Sequence, residues 1–160
     1  LLETGRGPLA VVNLLGQVFL GPAGSPFEAV EQVLEEIGED VRAIVVDVHA
    51  EATSEKIALA WALDGRVSAV LGTHTHVQTA DERILPEGTA ALSDLGMTGP
   101  HASVLGRKVE LVLSRMRTSM CAPFDVASGD VRIQGALLRI DHQTGRARSI
   151  VRVEERLDVD

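Results

Sequence analysis

The chain has 160 residues, 45% of them apolar, and a formal net charge of -8 from 15 Lys and Arg against 23 Asp and Glu. That length suits one domain with one core, and the composition excludes a disordered chain. No apolar stretch approaches the roughly 18 residues of a membrane helix; the best candidate, Leu9 to Leu15, is far too short and is interrupted by Asn13, so no membrane partner is expected.

An acidic chain repels nucleic-acid phosphate, and three Phe, one Trp and no Tyr cannot build a base-stacking platform. Stable nucleic-acid binding is therefore not expected. The single cysteine, Cys121, excludes an intrachain disulfide and a Cys-based zinc knuckle. A reducing, cytoplasmic setting fits that usage. Any metal has to be held by His and carboxylates. No basic segment precedes an apolar one in the manner of a signal peptide. The sequence opens on Leu1-Leu2 without an initiator Met, and a longer protein is the expectation.

Leu9 to Leu14 reads as a buried strand after the turn-rich Gly5-Arg6-Gly7-Pro8. Gly21 to Gly24 is loop. A helix then starts at Ser25 as N-cap, with Pro26 at N1 and Glu28 at N3 completing a capping box. Phe27, Val30, Leu34 and Ile37 form its inner face, and Gly38 ends it. Ala43 to Val48 is a second buried strand. Thr53 or Ser54 caps a second helix whose inner face is Ile57, Ala60 and Trp61, and Asp64-Gly65 ends it. Val67 to Leu71 is a third strand. Strand, helix, strand, helix, strand implies a parallel sheet. Thr89 to Ser93 is a short strand, 96 to 100 a glycine-rich turn, and Val109, Val112, Leu113 and Met116 mark a helix. Val131 to Ile140 and Ala147 to Val153 alternate and form an antiparallel hairpin through the turn 142 to 145. The expected fold class is α/β, a parallel βαβαβ core followed by an antiparallel hairpin.

Three of the five histidines share one feature. His49 follows the second strand, and His74 and His76 follow the third. Ligands of open α/β sheets collect outside the carboxyl ends of the strands. In extended backbone His74 and His76, at i and i+2, point to the same side. Two neighbouring strands would thus bring three imidazoles to one edge, and imidazole is the commonest metal ligand. A lone strand-end histidine is more often a surface or hydrogen-bonded residue; the combination inside Gly72-Thr73-His74-Thr75-His76 is what points to metal.

Asp47, two residues before His49 on the same strand face, is suited to support a ligand from behind. Glu51, Asp64, Asp81 and Asp94 are nearby acids, and Glu51 and Glu55 read most simply as charges at a helix start. His101 and His142 have no such company and read as loop residues. Ser54 lacks the G-x-S-x-G elbow of a nucleophile, and the glycines of 96 to 99 lack the spacing and lysine of a P-loop. Cys121 reads as structural. The residues alone leave open a single zinc on three imidazoles or a two-metal site, which also needs carboxylates and an amide.

Asp47 to Lys56, Gly72 to Asp81 and Asp94 to Pro100, with Val12-Asn13-Leu14 near the start, resemble the YmdB-like family of bacterial calcineurin-like metallophosphoesterases. The resemblance runs over nearly the whole chain. It implies a dinuclear centre that hydrolyses a small phosphodiester, with 2',3'- or 3',5'-cyclic nucleotides as substrate. His49, His74 and His76 match three metal-ligand histidines, His49 and His74 serving one metal and His76 the other. Two metal ions per full-length subunit are implied, Fe first and Mn or Zn as alternatives. The family's N-terminal aspartate, Glu-Asn pair and Gly-Asn-His segment do not occur in this sequence. Residues 1–160 therefore resemble the C-terminal part of a single metallophosphoesterase domain, a partial α/β sandwich, with the general acid outside them. Two rival functions are a mononuclear three-histidine hydrolase and a non-catalytic metal-binding regulatory module. A homo-oligomer is compatible with all three.

Overall fold

A computed structural model describes residues 1–121 and 123–157. The elements in chain order are β1 (Leu2–Thr4), β2 (Gly7–Leu15), α1 (Pro26–Ile37), β3 (Ala43–His49), α2 (Thr53–Ala62) and β4 (Ala69–Thr73). There follow β5 (Arg83–Ile84), β6 (Ala90–Leu92), β7 (Gly99–Pro100), α3 (Val109–Thr118), β8 (Val131–Ile140) and β9 (Ala147–Arg156). One six-stranded sheet has the order β1-β2-β3-β4-β6-β5, and a three-stranded sheet has the order β7-β8-β9. Neighbours from β2 through β3 and β4 to β6 run parallel, while β1 and β5 are antiparallel edges. The α/β class with a parallel core and an antiparallel hairpin is confirmed.

Strand periodicity sorts the apolar side chains into two layers, because alternate residues face opposite sides of a sheet. Ala10, Val12 and Leu14 of β2, Ile44, Val46 and Val48 of β3 and Val70 of β4 face the helices. They pack on Val30 of α1 and on Leu59, Ala60 and Leu63 of the α2 region. Leu59 and Leu63 are fully buried, each contributing about 1.5–3 kcal/mol of apolar burial. On the opposite face, Ala69, Leu71, Ala90 and Leu92, with Val45, pack against Ala136 and Leu138 of β8 and Ala147 and Ile150 of β9. The second sheet covers β4 and β6 in this way. Val11 and Leu15, on that same face of β2, are 56% and 50% exposed.

Several expectations are corrected in detail. Residues 2–4 carry no strand signal of their own, yet β1 forms there; it folds back through Gly5 and Arg6 and pairs antiparallel with β2. The third strand lies two residues later than expected, at Ala69–Thr73, because Ser68 is used instead to bind the Ile44 amide and the Gly145 carbonyl. The N-cap of α2 is Ala52 with no side-chain cap, one residue before Thr53. Its buried face is Glu55, Lys56, Leu59 and Ala60. Trp61 lies outside, half-exposed, with the Arg83 guanidinium 5.8 Å from its ring centre, a cation–π contact. Ser25 does cap α1, accepting a hydrogen bond from the Glu28 amide, but Phe27 is 39% exposed. Of the expected inner face of α3, Val112 alone is buried. Among the described residues no helix is long and apolar enough to cross a membrane.

One glycine fixes how closely β4 meets the segment after β6. A Cβ at Gly72 would overlap the Ser93 carbonyl and meet the Lys56 side chain. Gly72→Ala is expected to lower stability by about 3 kcal/mol, the upper end of overpacking costs, because backbone rather than a flexible side chain blocks the methyl. Urea denaturation with an unchanged m-value checks this; a loss of under about 1 kcal/mol would show that the contact relaxes freely.

Candidate metal centre

Parallel pairing of β3 with β4 sets His49 opposite Thr73, so both strands end at one carboxyl edge. The backbone then leaves extended geometry, with φ of 110° at His74 and 64° at His76. The expected i, i+2 alignment of the two histidines is therefore corrected. His74 turns its Nδ1 to within 3.0 Å of His49 Nε2, the rings meeting edge to face with centroids 4.8 Å apart. Its Nε2 lies 3.0 Å from Glu51 Oε2. His76 is exposed, and its Nδ1 faces the Leu105 carbonyl at 3.3 Å. The structure thus brings together His49 and His74, adds Glu51, and leaves His76 apart. Among the described residues no three His, Cys, Asp or Glu form a group arranged to hold a metal.

The donor geometry tests what the pair fits. Imidazole–metal bonds are about 2.1 Å, so two nitrogens bound at right angles stand about 3.0 Å apart. That is the His49–His74 spacing. The spacing equals that of two donors on one metal and is equally that of a hydrogen bond between the rings; a complete metal shell takes further donors.

A buried ion pair holds the histidine loop. Lys56 Nζ lies 2.9 Å from Asp94 Oδ2, with side chains 3% and 1% exposed. The same Oδ2 accepts the Thr75 amide at 3.0 Å, and Oδ1 accepts the Gly96 amide at 3.0 Å. The Asp94 amide donates to Thr79 Oγ1 and its carbonyl accepts the Thr79 amide. Asp94 thereby ties the loop between His74 and His76 to the end of β6. Asp81 makes a parallel tie, its carboxylate accepting the Ser93 amide and hydroxyl. Burial pushes the Asp81 carboxyl up, but the Ser93 and Thr79 hydroxyls and backbone amides outweigh it and hold it below its ordinary 3.8.

Asp47 accepts hydrogen bonds from Asn13 Nδ2 and from Thr73 Oγ1, and Thr73 Oγ1 lies 3.0 Å from His49 Nδ1. Glu55 is not a solvated helix-start charge. It is nearly buried and accepts the Gln17 and Val18 amides, pinning the chain beyond β2. His101 faces the Gly99 carbonyl through Nδ1, and its Nε2 is buried without a hydrogen-bond partner among the described residues. His142 lies in the hairpin turn, and Cys121 is exposed. Sequence reasoning does not single out Lys56 or Thr73. The signal for Lys56 is its place with Leu59, Ala60 and Leu63 on one helical stripe, where a lysine needs a partner.

A parallel sheet with converging imidazoles at its carboxyl edge, backed by an antiparallel sheet, defines an α/β protein with a candidate metal centre. The chain belongs to the YmdB-like family: the family model described as YmdB-like protein matches residues 1–153. It is 49% identical over 145 residues to a 2',3'-cyclic-nucleotide 2'-phosphodiesterase of Bacillus subtilis (strain 168), covering 91% of this chain and 55% of that protein. It is 34% identical to a putative phosphatase/phosphodiesterase of Mycoplasma pneumoniae, covering 89% of this chain and 51% of the relative. Among solved structures, a hypothetical protein from Thermus thermophilus matches with a TM-score of 0.90 at 44% identity, over 97% of this chain and 60% of that one. The crystal structure of a novel phosphatase from Mycoplasma pneumoniae matches with a TM-score of 0.83 at 33% identity, over 91% and 52%. The chain spans about half the length of the curated relatives it matches.

Two outcomes follow from the ties around the loop. Lys56→Met strands the Asp94 carboxylate in the interior and is expected to cost about 3–5 kcal/mol, measured by urea denaturation. A cost under about 1 kcal/mol would show that Asp94 finds solvent. Because the folded Asp81 pKa is depressed, its contribution to stability is full above the unfolded value and is lost as pH falls through the folded one. Thermal melting between about pH 5 and pH 2 should therefore show a smaller acid loss in Asp81→Asn than in the wild type.

Proposed function

We propose that this chain is part of a metal-dependent phosphodiesterase that hydrolyses 2',3'-cyclic nucleotides at a dinuclear centre. The observation that carries the proposal is the 3.0 Å convergence of His49 Nε2 and His74 Nδ1 at the carboxyl edge of the sheet. It occurs in a chain 49% identical to a protein of that activity. His49 and His74 are assigned to one metal and His76 to the other, with Fe favoured on the family resemblance over Mn or Zn. Bound divalent metals supply charge that offsets the phosphate oxygens and generate a hydroxide nucleophile at neutral pH.

The chain's own residues present imidazole nitrogens and fix the loop that carries two of the three rings. Asp94 and Lys56 hold the backbone around Thr75, and Glu51 holds the far nitrogen of the His74 ring. The acid that protonates the leaving ribose oxygen is assigned to the rest of the protein. The half-length match and the uncovered Val11 and Leu15 support reading residues 1–160 as the C-terminal part of one metallophosphoesterase domain, its other half packing on that face of β2. The lone exposed cysteine supports a reducing, cytoplasmic site of action.

In the complete protein, His49→Ala and His74→Ala are each expected to lower metal content and cut turnover of a 2',3'-cyclic nucleotide by at least about 100-fold. His142→Ala, in the hairpin turn, should retain both. Metal analysis, assays on 2',3'- and 3',5'-cyclic nucleotides and circular dichroism on each variant check this. His74→Ala with full metal content and normal turnover would overturn the assignment. The 160 residues expressed alone are expected to show little or no turnover; robust metal-dependent hydrolysis by them would overturn the half-domain reading.

A further inference from the structure

We infer that Leu105 determines substrate specificity as an apolar platform for the base of a cyclic nucleotide, which rests on the phosphodiesterase reading above. Leu105 and Gly106 form the tip of a two-residue hairpin. The Val104 amide donates to the Arg107 carbonyl at 2.9 Å, and the Arg107 amide to the Val104 carbonyl at 3.0 Å. Both tip residues have positive φ, 50° at Leu105 and 90° at Gly106. That is the pattern of a type I′ turn, which favours Asn or Gly at its first central position. Leucine there is strained, and its side chain is 49% exposed, so core packing does not account for it. The turn is held from its own base: the Gly106 amide donates to Ser103 Oγ at 2.9 Å, and the Gly106 carbonyl accepts the Ala127 amide at 3.0 Å.

The Leu105 carbonyl lies 3.3 Å from His76 Nδ1, so the hairpin tip stands beside the histidine loop at the carboxyl edge of β4. A cyclic nucleotide brings two unlike groups to such a place. Its phosphate is anionic and is met by charge; its base is neutral, with apolar faces that bind best against apolar surface. Glu51, Thr73 and the histidines around the site offer no such surface. Two of the aromatic side chains are engaged elsewhere, Trp61 by the Arg83 guanidinium and Phe124 by that of Arg115. Phe19, also exposed and with positive φ, follows β2 close to Leu15, where the rest of the domain is proposed to pack. Leu105 stands instead beside the end of β4, two strands away from β2. Met97 adds to the apolar surface at the tip, because a Cβ on Gly106 would lie 3.9 Å from its Sδ.

Methyl NMR of the complete, Zn2+-loaded protein with 13C-labelled leucine reads the contact directly. Adenosine 3'-monophosphate is expected to shift the Leu105 methyl resonances upfield, through the ring current of a base lying over them. Ribose 3-phosphate, which has no base, should leave them in place. Kinetics supply a second readout, the ratio of kcat/KM for adenosine 2',3'-cyclic phosphate to that for glycerol 1,2-cyclic phosphate, which also has no base. The ratio is expected to fall at least about 5-fold in Leu105→Asn, mainly through KM, and to stay within about 2-fold of wild type in Leu105→Met. Asn suits the left-handed tip, and the contact with His76 is made by backbone, so Leu105→Asn should melt no lower than the wild type. Absence of the methyl shift, or an unchanged ratio in Leu105→Asn, would overturn the inference. So would a lower melting temperature with both substrates slowed alike, the mark of a leucine covered by the protein itself. A Leu105 shift in a protein that hydrolyses no cyclic nucleotide would sustain the contact and strike at the proposed function instead.

Discussion

The Lys56–Asp94 ion pair is the interaction on which the arrangement of the site depends. Two charges removed from water are costly unless each finds strong, well-placed partners. Asp94 meets that demand by accepting the Lys56 ammonium and the Thr75 and Gly96 amides. Lys56 reaches it from the inner face of α2, passing beside Gly72, where only a glycine leaves room. One carboxylate therefore connects a helix, the turn after β6 and the loop carrying His74 and His76. The left-handed backbone at both histidines needs such restraint, because a non-glycine residue there is unfavourable by itself.

The sheet supplies the other half of the arrangement. Parallel register puts the ends of β3 and β4 side by side, so His49 and Thr73 meet without any special loop. Asp47, one pleat earlier on the same face, reaches both neighbouring strands through Asn13 and Thr73. Polar groups at this end of β2 to β4 thus continue the face that, further down the strands, is apolar and covered by β8 and β9. The uncovered Val11 and Leu15 mark where that covering stops.

The paired tethers differ in how they respond to their surroundings. Lys56–Asp94 is sealed from solvent and little screened by salt. Asp81, partly exposed, is held by Ser93 and Thr79 and weakens only when acid protonates it. Glu55 adds a third tether by capturing the Gln17 and Val18 amides, so the chain leaving β2 is fixed against the start of α2. Three carboxylates that read from the sequence as ordinary acids are thereby structural anchors around one edge of the sheet.

Much of the layer architecture is legible from the residues. Leu9 to Leu14 and Ala43 to Val48 are short, β-branched apolar runs bounded by turn residues, and the hairpin segments alternate; those two patterns assign all of them to strands. The Ser25-Pro26-Glu28 start of α1 is a local signal, and the structure places the cap where that signal puts it. The strand-end placement of His49 and His74 follows from chain order, because parallel strands deliver their carboxyl ends to one edge. What the sequence does not determine are features set by partners distant in the chain. Trp61 is apolar, yet it lies outside because the stripe containing Lys56 and Leu59 is the one facing the sheet. His74 and His76 sit at i and i+2, yet positive φ separates them, since Asp94 captures the amide between them. Which carboxylate is buried, and which hydroxyl stands behind which ring, are questions of register and of charges that must be paired once water is excluded. Local periodicity is blind to both; only the packed tertiary structure decides them.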